Sequence, residues 1–258
     1  MSASFSTTNT TPWLVCPQPN PQARLRLFCF PYAGGNAMIY RQWQSGLPQT
    51  IEVCPVQLPG RGKRIKEPPF DHARLLVEEV ARALLPFFDK PFAFFGHSMG
   101  GLIGFELARH LRRNYNLQPA HLFVSGRRPP QLPRHEPNTF DLPEAEFMEA
   151  LRKLQGTPPE VLQQPELMQL LLPLLRADFA LCETYAYTVE PPLDCPLSVF
   201  GGLNDDDIER AQLEAWASQT NAATKVRMLP GDHFFINTQQ PLLLRVLTQD
   251  LQPLMSSL

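Results

Sequence analysis

Phe94–Glu106 reads FFGHSMGGLIGFE, a stretch that sets a lone serine, Ser98, between glycines where an apolar run meets an amphipathic one. G-H-S-M-G has the G-x-S-x-G spacing of a nucleophile elbow, a sharp strand-to-helix turn that lifts a serine Oγ above a sheet. That pattern carries weight only with a strand before it and a helix after it. PFAFF and GGLIGFELARHLRR supply both. Gly96 and Gly100 allow a closer backbone approach at the turn than a side chain would. A helix beginning just past Ser98 also aims its N–H groups at developing negative charge.

A serine hydroxyl is a poor nucleophile at neutral pH, so a base must take its proton and an acid must orient the base. On an elbow scaffold these partners follow in the order Ser, Asp or Glu, His. The histidines are His72, His97, His110, His121, His135 and His233. His97 is next to the serine inside the elbow, His72 and His110 fall in amphipathic helices, His121 opens a strand, and His135 lies in a proline-rich loop. His233, in LPGDHFFIN, follows the last apparent strand in a turn, where the base belongs.

The acid should stand at the end of the preceding strand. SVFGGLNDDDIE places Asp205 after a glycine turn with two residues between, and Asp206 and Asp207 read as the N-cap and first turn of a helix beginning near Ile208. Asp232, beside the histidine, is the competing carboxylate. For an oxyanion the Met99 N–H at the helix start is one donor. A second is expected from FCFPYAGGNA, at Ala33, with Tyr32 as the alternative register.

The elements that must position these groups are legible as short apolar runs. RLRLFCF (24–30), IEVCPVQ (51–57), PFAFFG (91–96), HLFVSG (121–126), LSVFGG (197–202) and KVRMLP (225–230) read as strands. Helix-like stretches separate them. In DHARLLVEEVARALLPFF, Asp71 is placed as N-cap, with Leu76, Val80, Leu84 and Phe87 on one face. Such alternation predicts an α/β fold, a mostly parallel central sheet covered by helices on both faces, and the nearly all-apolar strands agree. Residues 1–22 are expected to be a loosely packed lead-in to one domain spanning 1–258.

Residues 127–190 break the alternation. AEFMEALRKL, PEVLQQ and PELMQLLLPLLRADFALCETYAY predict a helical insertion over one sheet edge, with Pro173 kinking or interrupting the last helix. A lid is the expectation.

Composition narrows the class. A formal net charge of -2 offers no general pull toward nucleic acid. No apolar run approaches the roughly 18 residues of a membrane span, and no basic, apolar leader opens the chain. Five scattered cysteines (Cys16, Cys29, Cys54, Cys182, Cys195) without a C-x-x-C pair argue against a disulfide framework or zinc site and for a reducing cytoplasm. No motif calls for a metal or an organic cofactor.

With these segments assembled, the chain resembles the type II thioesterases, the stand-alone editing hydrolases of nonribosomal peptide and polyketide synthases. LFCFPYAGG (27–35), VQLPGRGKRIKEPP (56–69), FGHSMGG (95–101), LFVSGRRPP (122–130), VFGGLNDD (199–206) and LPGDHFFI (229–236) carry the likeness in the family's order and spacing. NDDD departs from the single aspartate followed by proline that is frequent there. The resemblance implies an α/β-hydrolase fold with a helical lid, and a Ser98–Asp205–His233 triad. It implies as substrate an acyl thioester on the phosphopantetheine arm of an acyl or peptidyl carrier protein. On that reading Met168, Leu170, Leu171, Leu174 and Leu175 would line an acyl groove, and the basic GRGKRIK (60–66) and Arg127–Arg128 are candidates for a rim that meets an acidic carrier. A general serine carboxylesterase or acyl-chain-releasing hydrolase of the same fold, and a catalytically inert carrier-binding protein, are the alternatives.

Overall fold

A computed structural model describes residues 11–15, 20–154 and 156–257. In chain order the strands and helices are β1 (Leu25–Phe30), β2 (Ile51–Pro55), α1 (Ala73–Leu84), β3 (Phe92–His97), α2 (Met99–Tyr115), β4 (His121–Ser125), α3 (Glu144–Leu154), α4 (Pro159–Leu162), α5 (Pro165–Glu183), β5 (Leu197–Gly202), α6 (Arg210–Glu214), β6 (Thr224–Leu229), α7 (Phe235–Thr238) and α8 (Gln240–Ser257). The six strands form one sheet in the order β2-β1-β3-β4-β5-β6. Every pairing is parallel. All C-terminal strand ends therefore meet at one edge, where ligands bind in open α/β sheets.

Strands β1–β5 are buried on both faces, and their period of two sorts the core. Phe28, Phe30, Phe92 and Phe94 pack against α1 and α2, while Leu25, Leu27, Cys29, Ala93 and Phe95 pack against α8, Tyr40 and Trp43. Edge-to-face contacts such as Phe30–Phe94 and Trp43–Phe95, with ring centroids 5.5 and 4.7 Å apart, fix these layers. Each fully buried aromatic of this kind stabilises the fold by roughly 1.5–3 kcal/mol.

Three local expectations are corrected. Helix α1 starts at Ala73 with His72 in the N-cap position, and Asp71 instead meets the His72 ring at 2.7 Å. Helix α6 starts at Arg210, capped reciprocally by Glu209 and Gln212, which leaves Asp206 and Asp207 in the turn before it. Helix α5 runs unbroken through Pro173. A proline forfeits one helical rung, but Met168, Leu172 and Leu175 on either side are buried with Phe147 and Leu151 and hold the helix together. The lead-in is also more ordered than expected where it is described. Arg64 lies 4.1 Å over the Trp13 ring, and Leu14 bridges to Val56. Cys16 lies outside the described residues. Among those described, no helix is long and apolar enough to cross a membrane.

Candidate active site

Ser98 sits between the last residue of β3 and the first of α2, with φ 52° and ψ −114°. A non-glycine residue rarely adopts positive φ, and such strain persists only where surrounding structure imposes it. Here the imposing contacts are backbone on backbone. A Cβ on Gly96 would lie 2.0 Å from Gly100 O, and one on Gly100 would lie 2.1 Å from Phe30 O. The Ser98 N–H donates to Ser125 O at 2.7 Å, tying the elbow to β4. Only glycine fits at both crossings, so the spacing of the motif is set by sterics.

The other two expected residues come together at the same sheet edge. Asp205, past β5, accepts from His233 Nδ1 at 2.8 Å through Oδ2, and its side chain is 1% exposed against 21% for the histidine. Its Oδ1 accepts the Asp207 N–H at 3.1 Å, so the carboxylate is held at both oxygens. The two turns are joined through their backbones: Leu203 N–H donates to Leu229 O and Asn204 N–H to Gly231 O. Asp206 is exposed, and Asp232 is exposed and accepts the Phe234 N–H. With Nδ1 engaged by Asp205, Nε2 is the His233 nitrogen left for a substrate or for Ser98. His233 and Ser98 line one cavity of about 750 Å³.

The His97 ring is fully buried. Its Nδ1 meets Ser125 Oγ at 2.9 Å, and its ring lies 5.1 Å from that of His233. Burial, reinforced by His233, pushes its pKa well below the ordinary histidine value. A neutral ring thus packs beside that of His233, flanked by Tyr32 and Phe234. Nothing in the sequence pattern signals this packing.

Ala33 lines the cavity beside Ser98, and Met99 is buried at the first position of α2. Neither of their N–H groups donates to a protein acceptor among the described residues, whereas the Gly34 N–H is taken by Asp178 Oδ2 at 2.7 Å. Of the five residues expected to line an acyl groove, Leu175 lines this cavity. Met168 and Leu174 are buried against neighbouring elements, Leu170 is 58% exposed, and Leu171 packs on the α3–α5 cluster. Leu175, Phe179 and Cys182 share a face of α5 and form the cavity wall, whereas Leu171 and Met168, one and two turns earlier on that face, pack in the cluster formed with α3 and α4. Among the described residues there is no group of His, Cys, Asp and Glu that could hold a metal.

The comparisons with known proteins agree on the scaffold. A family model described as the thioesterase domain matches residues 25–251. The chain belongs to the thioesterase family. It is 49% identical over 243 residues to a Brevibacillus parabrevis protein named linear gramicidin dehydrogenase LgrE, covering 93% of this chain and 92% of that one. It is 39% identical to the RedJ thioesterase of the prodiginine biosynthetic pathway in Streptomyces coelicolor, with a TM-score of 0.82 and 91% of each chain covered. It is 31% identical to YbtT, a type II thioesterase of the yersiniabactin NRPS/PKS pathway, with a TM-score of 0.78, covering 92% of this chain and 94% of that one.

In this thioesterase the two basic motifs part company. Arg61 and Arg64, expected on an exposed rim, are 4% and 7% exposed. Arg61 forms a two-pronged pair with Asp178 of α5, both contacts at 2.8 Å, and Arg64 pairs with Glu67 and stacks on Trp13. Lys63 and Lys66 remain at the surface. Arg127 and Arg128 both line the cavity, and Arg128 is held by Glu136 at 2.7 Å. Burial of Arg61 depends on a carboxylate 117 positions away, which spacing within the motif cannot reveal.

Proposed function

We propose that this thioesterase hydrolyses acyl groups from the phosphopantetheine arm of an acyl or peptidyl carrier protein, clearing misacylated carriers of a polyketide or nonribosomal peptide synthase. One observation carries the mechanism. The buried Asp205 fixes His233 through Nδ1, in the same cavity as a serine held on a strained elbow.

His233 Nε2 takes the Ser98 proton as Oγ attacks the thioester carbonyl, and Asp205 keeps the ring oriented and stabilises the imidazolium. The Met99 and Ala33 N–H groups receive the oxyanion, in a site where preorganised donors act far more strongly than in water. Collapse expels the pantetheine thiol, protonated by His233, and leaves an acyl-serine. Water activated by His233 then releases the free acid. The α3–α5 segment roofs the cavity as a lid, with Leu175 and Phe179 against the acyl chain. A reducing cytoplasm suits the thiols of Cys29, Cys54, Cys182 and Cys195. The dehydrogenase name of one relative has no counterpart here, because the loop after β1 carries Gly34-Gly35 and not the G-x-G-x-x-G of a dinucleotide site.

The test compares hydrolysis of one acyl group on a phosphopantetheinylated carrier, on a small thiol and on p-nitrophenol. Strong preference in kcat/KM for the carrier-bound thioester is expected. Equal or faster turnover of the free esters would make the protein a general esterase using the same residues.

A further inference from the structure

Asp178 is 1% exposed and stands on α5, in the roof, yet its partners belong to the floor. Oδ2 accepts the Gly34 N–H at 2.7 Å and Arg61 Nη1 at 2.8 Å, and Oδ1 accepts Arg61 Nη2 at 2.8 Å. Arg61 in turn donates to Gly35 O at 3.2 Å and to Pro59 O at 3.1 Å. One carboxylate therefore grips the Ala33-Gly34-Gly35 loop from both sides of Gly34, directly through its N–H and indirectly through Gly35 O. Gly34 has φ +74°, a conformation of a tight turn, and the Gly35 N–H closes that turn on Tyr32 O at 2.9 Å. Within Ala33–Gly35, the N–H without a protein acceptor among the described residues is that of Ala33, which lines the cavity that holds Ser98.

We propose that Asp178 is a positioning residue of the oxyanion pocket: by holding Gly34 and Arg61 it aims the Ala33 N–H at the reacting carbonyl, so that the pocket is complete only while α5 is seated on the floor. This rests on the reading of Ser98 as nucleophile and of Ala33 and Met99 as donors. A carboxylate suits the role better than an amide. All three partners are donors, and a side-chain amide would turn its own NH₂ against one of them. Lifting α5 removes the acceptor of the Gly34 N–H and breaks the ion pair in the same movement. The roof and the oxyanion pocket are thereby one device.

Two variants separate positioning from folding. Asp178→Ala deletes the acceptor. Arg61→Met combined with Asp178→Leu replaces the buried ion pair by apolar groups, a change that is often neutral or stabilising for folding, while still freeing the Gly34 N–H. Rates are taken per active site, titrated with a fluorophosphonate. Both variants should lose about ten- to a hundredfold in kcat with KM nearly unchanged, somewhat less than the loss of a whole oxyanion donor. Affinity for an alkyl boronic acid, whose tetrahedral adduct places an oxygen in the pocket, should fall by the same factor. A folded double variant with wild-type kcat and boronate affinity would overturn the proposal. In the unsubstituted protein the Gly34 amide proton should exchange slowly with solvent, and fast exchange would overturn it independently. If Ser98→Ala retained turnover, the underlying triad reading would fail instead.

Discussion

The thioesterase holds two groups of serine, histidine and aspartate, at opposite ends of its sheet. At the C-terminal edge, Asp205 grips His233 and Ser98 shares their cavity. Near the other edge, His121 Nε2 meets Ser198 Oγ at 2.9 Å, and Ser198 Oγ donates to Asp250 Oδ2 at 2.7 Å. The residue types are identical, and the wiring is reversed. In the second group the serine stands between the other two, so its proton already belongs to Asp250. That carboxylate is further occupied by Lys225 and Arg227. Burial alone would raise the Asp250 pKa, but those hydrogen bonds outweigh it and hold it at about 2. All three side chains are buried, and none lines the cavity. Chemistry thus follows from which atom of the histidine the acid occupies and from access to a cavity, and a buried network with its charges paired serves the fold.

Substitutions can break this contrast. The largest expected effect is Ser98→Ala, which should cost on the order of 10⁶-fold in kcat by analogy with other triads and leave the melting curve unchanged. Near-normal turnover would remove Ser98 from the chemistry. Asp205→Asn should cost about 10⁴-fold by misorienting the base, with Asp206→Asn close to normal. The reverse pattern would move the acid one place along.

The second group should report in stability alone. Burial, outweighing the nearby Asp250, lowers the His121 pKa to about 4 from its ordinary value of 6.5. The fold therefore favours the neutral ring. Its contribution is complete above pH 6.5 and is lost as pH falls toward 4, about 3 kcal/mol in all. His97 acts in the same direction. Urea midpoints at pH 7.5 and pH 5 should differ accordingly, and His121→Gln should shrink the difference. Asp250→Asn should destabilise by about 2 kcal/mol, moderated because Lys225 is half exposed. Ser198→Ala should cost about 1 kcal/mol with kcat per active site unchanged. A rate loss there comparable to that of Ser98→Ala would erase the distinction.

What the sequence disclosed follows the range of the interactions. Strands, elbow and the turns carrying Asp205 and His233 were legible because each depends on local pattern: alternating apolar runs, glycines at fixed offsets, an aspartate after a strand. The Ser198 network and the Asp178–Arg61 pair were not, since they join residues 52 and 117 positions apart. The cavity wall was half legible. The leucine-rich stretch of α5 drew attention to the right helix, but which leucines face the cavity depends on how α5 docks. Leu175 does, and Leu170 points to solvent.

The most direct test of the account is rapid quench of the enzyme with an acyl pantetheine thioester, followed by intact-mass and peptide analysis. The account predicts a transient acyl adduct on the peptide carrying Ser98, formed no more slowly than thiol is released and absent in Ser98→Ala. Steady turnover with no adduct, or an adduct on another residue, would contradict it.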